Sequence, residues 1–263
     1  MSYQHIEFSI DKGVAVLTFN RPDKLNSFNQ VMHKEVREVL KKISADSHIR
    51  CLLITAKGNG FCAGQDLSER KYDPDAAPIN LGDSIEKNYN PLIRLIRSLQ
   101  LPVICAVNGV AAGAGANIAL ACDIVLASTK ASFIQAFCKI GLVPDSGGTW
   151  TLPRAVGMPR AMALALLGDK ITAEQAEQWG MIWKTYPPNE LYDEAMKMAV
   201  NLSEQPTLGL ALIKKALQSS TQNTLDQQLD LERDLQTLAG QSRDYQEGVT
   251  AFMEKRKPKF LGH

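Results

Sequence analysis

The feature that most constrains this chain is a set of three short, nearly continuous apolar runs, at residues 49–55, 103–107 and 123–127, separated by segments of helical length. Runs this short and this apolar read as strands covered on both faces. Strands that recur after helix-length segments pair in parallel, because a parallel return needs a crossover that is usually helical. The fold class is therefore α/β. Residues 6–19 add two alternating strands around a turn at Asp11-Lys12-Gly13. A helix is expected over 28–43, capped by Asn26 or Ser27, with Val31, Val36, Val39, Leu40 and Ile43 on its apolar face. Another is expected over 83–99. Between them, residues 68–81 are polar and carry Pro74 and Pro78, which reads as a mobile loop. From about residue 147 the pattern turns helical. Thr172 and Gln175 have the spacing of a capping box, and helices are expected over 190–202, 206–219 and 224–239.

With 263 residues the chain can bury a large core without disulfides or metals. A net charge of +1 offers no field for nucleic acid or for an anionic membrane, so neither is an expected partner. The five cysteines form no CxxC pair and read as free thiols packed in a reducing compartment. The amino terminus has no basic and apolar leader, and no run approaches the ~20 apolar residues of a membrane span. A cytoplasmic protein is expected. The four histidines are scattered, no metal-ligand spacing is present, and Gly113-Ala114-Gly115 lacks the third glycine of a dinucleotide fingerprint.

Two segments can carry chemistry. Cys62-Ala63-Gly64-Gln65-Asp66-Leu67 leaves a buried strand through a glycine, and Gly109–Ala116 places glycines and alanines at the start of a helix. Each alone is also a packing device. Taken together, backbone N–H groups from the two could converge on one oxygen and stabilise an enolate or a tetrahedral adduct.

These motifs, with Asn20-Arg21-Pro22, Ala106-Val107-Asn108-Gly109, Ala121-Cys122-Asp123-Ile124 and Gly147-Gly148-Thr149, resemble in order and spacing the crotonase (enoyl-CoA hydratase/isomerase) superfamily over nearly the whole chain. The resemblance implies a spiral of ββα units with parallel sheets and helical crossovers, a core over 1–200 and a C-terminal helical trimerisation region over 201–263. It implies an acyl-CoA substrate, no cofactor beyond the CoA moiety, and assembly as a homotrimer or a dimer of trimers. The oxyanion donors map onto the N–H groups of Gln65 and Ala114, the latter replacing the family's usual glycine. Lys24, Leu25, Ala63, Asp66 and Leu67 map onto CoA-contacting positions, and Phe252 and Lys255 onto residues that reach a neighbouring subunit's CoA.

The superfamily's hydratases resemble one another in two catalytic glutamates. Those positions are Asn117 and Phe137 here, and neither side chain can take a proton from water, so hydration is not the expected reaction. Several of its isomerases instead carry one carboxylate at the position of Asp145. Without the resemblance Asp145 reads as a helix cap; with it, as the catalytic acid–base group. Phe137, Ile140, Leu142, Val143 and Trp150 would desolvate that carboxylate, and Phe137, Ile140, Leu142 and Trp150 are expected to line the substrate pocket. Asn117 is expected to orient substrate or water. The pattern resembles most the branch that isomerises a ring epoxide of an aryl-derived acyl-CoA. A Δ3,Δ2-enoyl-CoA isomerase is the alternative, and a non-catalytic acyl-CoA-binding subunit of a partner hydratase is a reading of another class. A partner enoyl-CoA hydratase is a further candidate partner.

Overall fold

The computed structural model describes residues 3–69 and 80–263. Most of the loop expected over 68–81, residues 70–79, lies outside the described residues. The chain opens with β1 (Ile6–Asp11) and β2 (Val14–Phe19), an antiparallel hairpin, then α1 (Gln30–Ala45), β3 (Cys51–Ala56) and β4 (Gly60–Cys62). A short α2 (Leu81–Ser84), a π-helical stretch Ile85–Tyr89 and α3 (Asn90–Ser98) lead to β5 (Val103–Val107), β6 (Val110–Ala112) and α4 (Ala114–Leu120). Then come β7 (Ile124–Ser128), β8 (Ser132–Ile134), a 3-10 turn Ala136–Ile140, α5 (Gly148–Val156) and α6 (Met158–Leu167). Strand β9 (Lys170–Thr172), α7 (Ala173–Gln178), β10 (Lys184–Tyr186), α8 (Leu191–Ser203), α9 (Thr207–Ser219), α10 (Leu225–Gly240) and α11 (Arg243–Met253) complete it.

Two sheets result. One has six strands in the order β1-β2-β3-β5-β7-β10, parallel from β2 onward; the other has four, β4-β6-β8-β9. Each turn of the chain contributes one strand to each sheet before a helix: β3 then β4, β5 then β6, β7 then β8. This is the ββα spiral that the family resemblance implies.

Alternation along the large sheet explains its apolar runs. Leu52, Ile54, Val103, Cys105 and Val107 face the main core, while Cys51, Leu53, Ile104 and Ala106 face a second cluster built on Leu191, Ala195 and Ala199 of α8. A strand covered on both faces leaves little room for a polar side chain, and Thr55 of β3 is accommodated by donating its hydroxyl to Ala106 O at 3.0 Å.

Some expectations shift. The α1 cap is Asn29, whose side chain accepts from the Met32 N–H at 2.9 Å, and not Asn26 or Ser27. Asn26 adopts φ 54° and instead ties the loop together: its Oδ1 accepts from Arg21 N–H, and its Nδ2 donates to the Lys57 and Gly60 carbonyls. The helix expected over 83–99 is three consecutive segments with a π-helical middle. The capping box at Thr172 and Gln175 is present in both halves. A further box at Thr224 and Gln227 starts α10.

Candidate active site

Two glycines bring the Cys62–Gln65 loop onto the start of α4. Gly64 has φ +89°, and a Cβ there would lie 3.1 Å from Ala112 O and 3.4 Å from Ala114 N. A Cβ on Gly115 would lie 2.1 Å from Cys62 O. Only glycine permits two backbones to approach this closely. Gln65 forms an isolated parallel bridge with Phe28. The bridge is made by Phe28 N–H donating to Gly64 O at 2.7 Å and Asp66 N–H donating to Phe28 O at 2.9 Å. In that pattern the N–H of Gln65 itself faces away from Phe28. Ala114 is the first residue of α4, so its N–H has no intrahelical acceptor. The Gln65 N–H is thus turned away from its bridge, and Ala114 N lies 3.4 Å from where a Cβ on Gly64, the residue before Gln65, would sit.

The other residues expected at the acyl end gather around α4. Phe137 is buried, with ring carbons 3.7 Å and 3.8 Å from where a Cβ on Gly113 would sit. Asn117, one turn after Ala114, is 1% exposed. Its Nδ2 donates to the backbone carbonyl of Asp145 at 2.8 Å, and its Oδ1 accepts from Gln135 Nε2 at 2.8 Å. Gly148 leaves room for that amide, since a Cβ there would come within 2.2 Å of Nδ2. Both ends of Asn117 are therefore engaged by the protein, which differs from the expected role of orienting substrate or water.

Asp145 is half-buried. Ser146 Oγ donates to its Oδ1 at 2.9 Å. Its backbone carbonyl also accepts from Gly148 N–H at 2.9 Å, whereas the α5 cap residue is Gly147, with no side-chain cap bond. The helix start is served by the main-chain carbonyl of Asp145. The expected apolar surround is only partly there. Leu142 is half-buried, but Ile140 and Val143 are 56% and 76% exposed in the single chain, because Ile140 ends the 3-10 turn and Val143 lies in the surface loop after it. Trp150 is half-buried, and Arg97 and Arg154 lie over its ring at 4.6 Å and 4.2 Å, so two guanidinium groups compete with any ligand for that ring.

The expected CoA end is assembled from two segments. Ala63 N–H donates to Leu25 O at 2.9 Å, which sets Lys24 and Leu25 beside Ala63–Leu67. Leu25, Lys24 and Leu67 are exposed. Asp66 is buried and paired with Arg21 at 2.9 Å, and it also accepts from Ser68 Oγ at 2.7 Å. The Ser68 hydroxyl, and then the Arg21 guanidinium, hold its carboxyl below the ordinary value against the opposing effect of burial. Its carboxylate therefore fixes the loop. Phe252 and Lys255 stand apart, exposed at the end of α11.

Residues not singled out from the sequence also matter here. Gln135 carries no motif signal. Arg21 had one in Asn20-Arg21-Pro22. Tyr89 is buried at the end of the π-helical stretch and donates its hydroxyl to Gln65 Oε1 at 3.1 Å. Beside it His33 is fully buried, 4.5 Å from the Tyr89 ring and 4.9 Å from Phe28, and neither ring nitrogen has a partner among the described residues. Burial, helped by Arg37, pushes its pKa down to about 3. The unfolded ring titrates near 6.5, so between pH 6.5 and 3 the unfolded state takes up a proton that the folded state refuses. Stability is then complete above pH 6.5 and falls as pH drops, by roughly 2–3 kcal/mol between pH 7.5 and 4.5. The His33→Leu variant should show that much less pH dependence in urea unfolding; an unchanged pH dependence would mean that His33 is not the group responsible.

Among the described residues no cluster of three His, Cys, Asp or Glu could hold a metal ion, and no helix is long and apolar enough to cross a membrane.

The chain matches the model of the enoyl-CoA hydratase/isomerase family over residues 9–263. It is 57% identical to the 1,2-epoxyphenylacetyl-CoA isomerase of Escherichia coli (strain K12), across 96% of this chain and 97% of that one. It is 36% identical to the trans-2-decenoyl-[acyl-carrier-protein] isomerase of Streptococcus mutans across the full length of both. Among solved structures, the enoyl-CoA hydratase/isomerase of Cupriavidus metallidurans CH34 superposes with a TM-score of 0.92 at 32% identity, covering 100% of this chain and 98% of that one.

Proposed function

This chain belongs to the enoyl-CoA hydratase/isomerase family, and on that premise we propose that it isomerises 1,2-epoxyphenylacetyl-CoA to the seven-membered oxepin-CoA. The supporting observation is the arrangement around α4. Its first residue lies against Gly64, next to the Gln65 donor, and its fourth residue holds Asp145. In this reading the Gln65 and Ala114 N–H groups hold the thioester oxygen. The carboxylate of Asp145 takes a proton from the carbon next to the thioester and returns it to a ring carbon. The ring carbon–carbon bond shared with the epoxide breaks, and the oxygen becomes a ring member. Substrate and product have the same mass, so one group serves as both base and acid. Phe137, where a hydratase would need a glutamate, supplies a flat apolar wall suited to an aryl-derived ring.

The CoA moiety is the only cofactor-like group the reading requires. Lys24, Leu25 and the Ala63–Leu67 segment would contact it. The same reading places the protein in the cytoplasm as a homotrimer or a dimer of trimers. The apolar residues left exposed on α10 and α11, among them Leu225, Leu229, Phe252 and Met253, would be covered there, and Phe252 and Lys255 would reach a neighbour's CoA.

The test is an assay of the purified protein on enzymatically generated 1,2-epoxyphenylacetyl-CoA and on 3-hexenoyl-CoA, followed by mass and absorbance. Conversion of the epoxide without change of mass is the expected result. Turnover of the linear substrate alone would make the protein a Δ3,Δ2-enoyl-CoA isomerase, and equal gain of water on an enoyl-CoA by the protein and its Asp145→Asn variant would overturn the case from Asn117 and Phe137.

A further inference from the structure

We propose that Gln135 is a positioning residue for the acid–base group: it fixes which way the Asn117 amide faces, and Asn117 in turn fixes the backbone that carries Asp145. The proposal rests on Asp145 being that group. The two ends of an asparagine amide have nearly the same shape, so its orientation is set by the polarity of its neighbours. The Asp145 carbonyl can only accept, and it takes the Asn117 Nδ2 at 2.8 Å. What holds the other end as an acceptor is Gln135 Nε2, also at 2.8 Å. With Gln135 at 4% exposure and Asn117 at 1%, this pair is sealed from solvent, where a hydrogen bond is strong and a mismatched one costly.

Gln135 is also a poor choice for packing alone. Its Oε1 is buried with no partner among the described residues, a desolvation cost that methionine or leucine would avoid. The same dipeptide reaches the other half of the site. Ile134, its neighbour, accepts from Gly113 N–H at 2.8 Å, directly before the Ala114 donor. The segment Ile134–Gln135 therefore holds α4 at two points, with one backbone bond at Gly113 and one side-chain bond at Asn117, whose other end holds the Asp145 backbone.

The variants Gln135→Met and Gln135→Glu separate positioning from packing. Methionine keeps the volume and removes the donor. Glutamate keeps the shape but presents oxygens to Asn117, so the amide must turn and set its Oδ1 against the Asp145 carbonyl. Both are expected to lower kcat on the acyl-CoA substrate by tenfold or more, with KM within about twofold and a melting temperature within a few degrees of wild type. Placed in an Asp145→Asn background, either should cause no further loss, because residues that act as one unit are not additive. A folded Gln135→Met with unchanged kcat overturns the proposal, as does an equal loss in both backgrounds. Should Gln135→Met fail to fold, the same readings on Gln135→Glu decide. Full activity of Asp145→Asn itself would overturn the base assignment beneath it, a result distinct from failure of the Gln135 variants alone.

Discussion

Replacing Asp145 with asparagine is expected to lower kcat by 10²-fold or more while leaving the fold and the binding of the CoA moiety intact. The magnitude is the lower end of what a positioned acid–base group contributes. Asparagine keeps the shape of the side chain and an oxygen for Ser146 Oγ, which now donates to Oδ1 at 2.9 Å. The main-chain carbonyl of residue 145, held by Asn117 Nδ2 and Gly148 N–H, does not depend on the carboxylate. The substitution removes the proton acceptor. The check is kcat and KM for wild type and variant, together with deuterium uptake from heavy water at the carbon next to the thioester. Loss of both turnover and exchange supports the assignment. Retained exchange with lost turnover would give Asp145 a role after proton removal, and retained turnover would remove it from the chemistry.

How legible these features are in the sequence depends on whether the cause is local. Strand β5 begins and ends where its apolar run does, because a strand covered on both faces leaves a continuous signal. The Thr172 box is local by construction. The three-residue strands β4, β6, β8, β9 and β10 are too short to show a period, and they exist because neighbours at distant positions complete them. The start of α1 moves to Asn29 for a similar reason: Asn26 is drawn off by carbonyls at Lys57 and Gly60, more than thirty positions away. Within the candidate site, Gly64 and Gly115 are visible as glycines in the right order, and the structure presses each against the partner segment. Gln135 is invisible, since its bond to Asn117 spans eighteen positions and belongs to no pattern. Trp150 is a further case: Arg154, one turn along α5, is local to it, but Arg97 of α3 reaches its ring from a distant part of the chain.

A single methyl group at Gly64 is expected to lower kcat by about 10²–10³-fold, the range measured when one oxyanion donor is lost. At φ +89° an alanine is strained, and its Cβ would stand 3.1 Å from Ala112 O and 3.4 Å from Ala114 N. Neither neighbour is the flexible end of a side chain. To relieve the contact the Cys62–Gln65 loop and the start of α4 must separate by a few tenths of an ångström. That distance is small for the fold, where the strain of a left-handed alanine is about 1–2 kcal/mol, and large for two N–H groups that must meet one oxygen. Gly64→Ala should therefore melt only several degrees lower and still bind CoA, yet turn over slowly. Gly115→Ala is the contrasting variant. Its Cβ would fall 2.1 Å from Cys62 O, a clash no small shift removes, so it should fail to fold or melt far lower before catalysis is at issue. The measurement is kcat, KM and melting temperature for both. Undiminished kcat in a folded Gly64→Ala would mean that the Gln65 and Ala114 N–H groups do not hold the thioester oxygen, whatever Asp145 does. If instead kcat fell only in proportion to the folded fraction, Gly64 would be a packing glycine and the oxyanion donors would have to be sought elsewhere along α4.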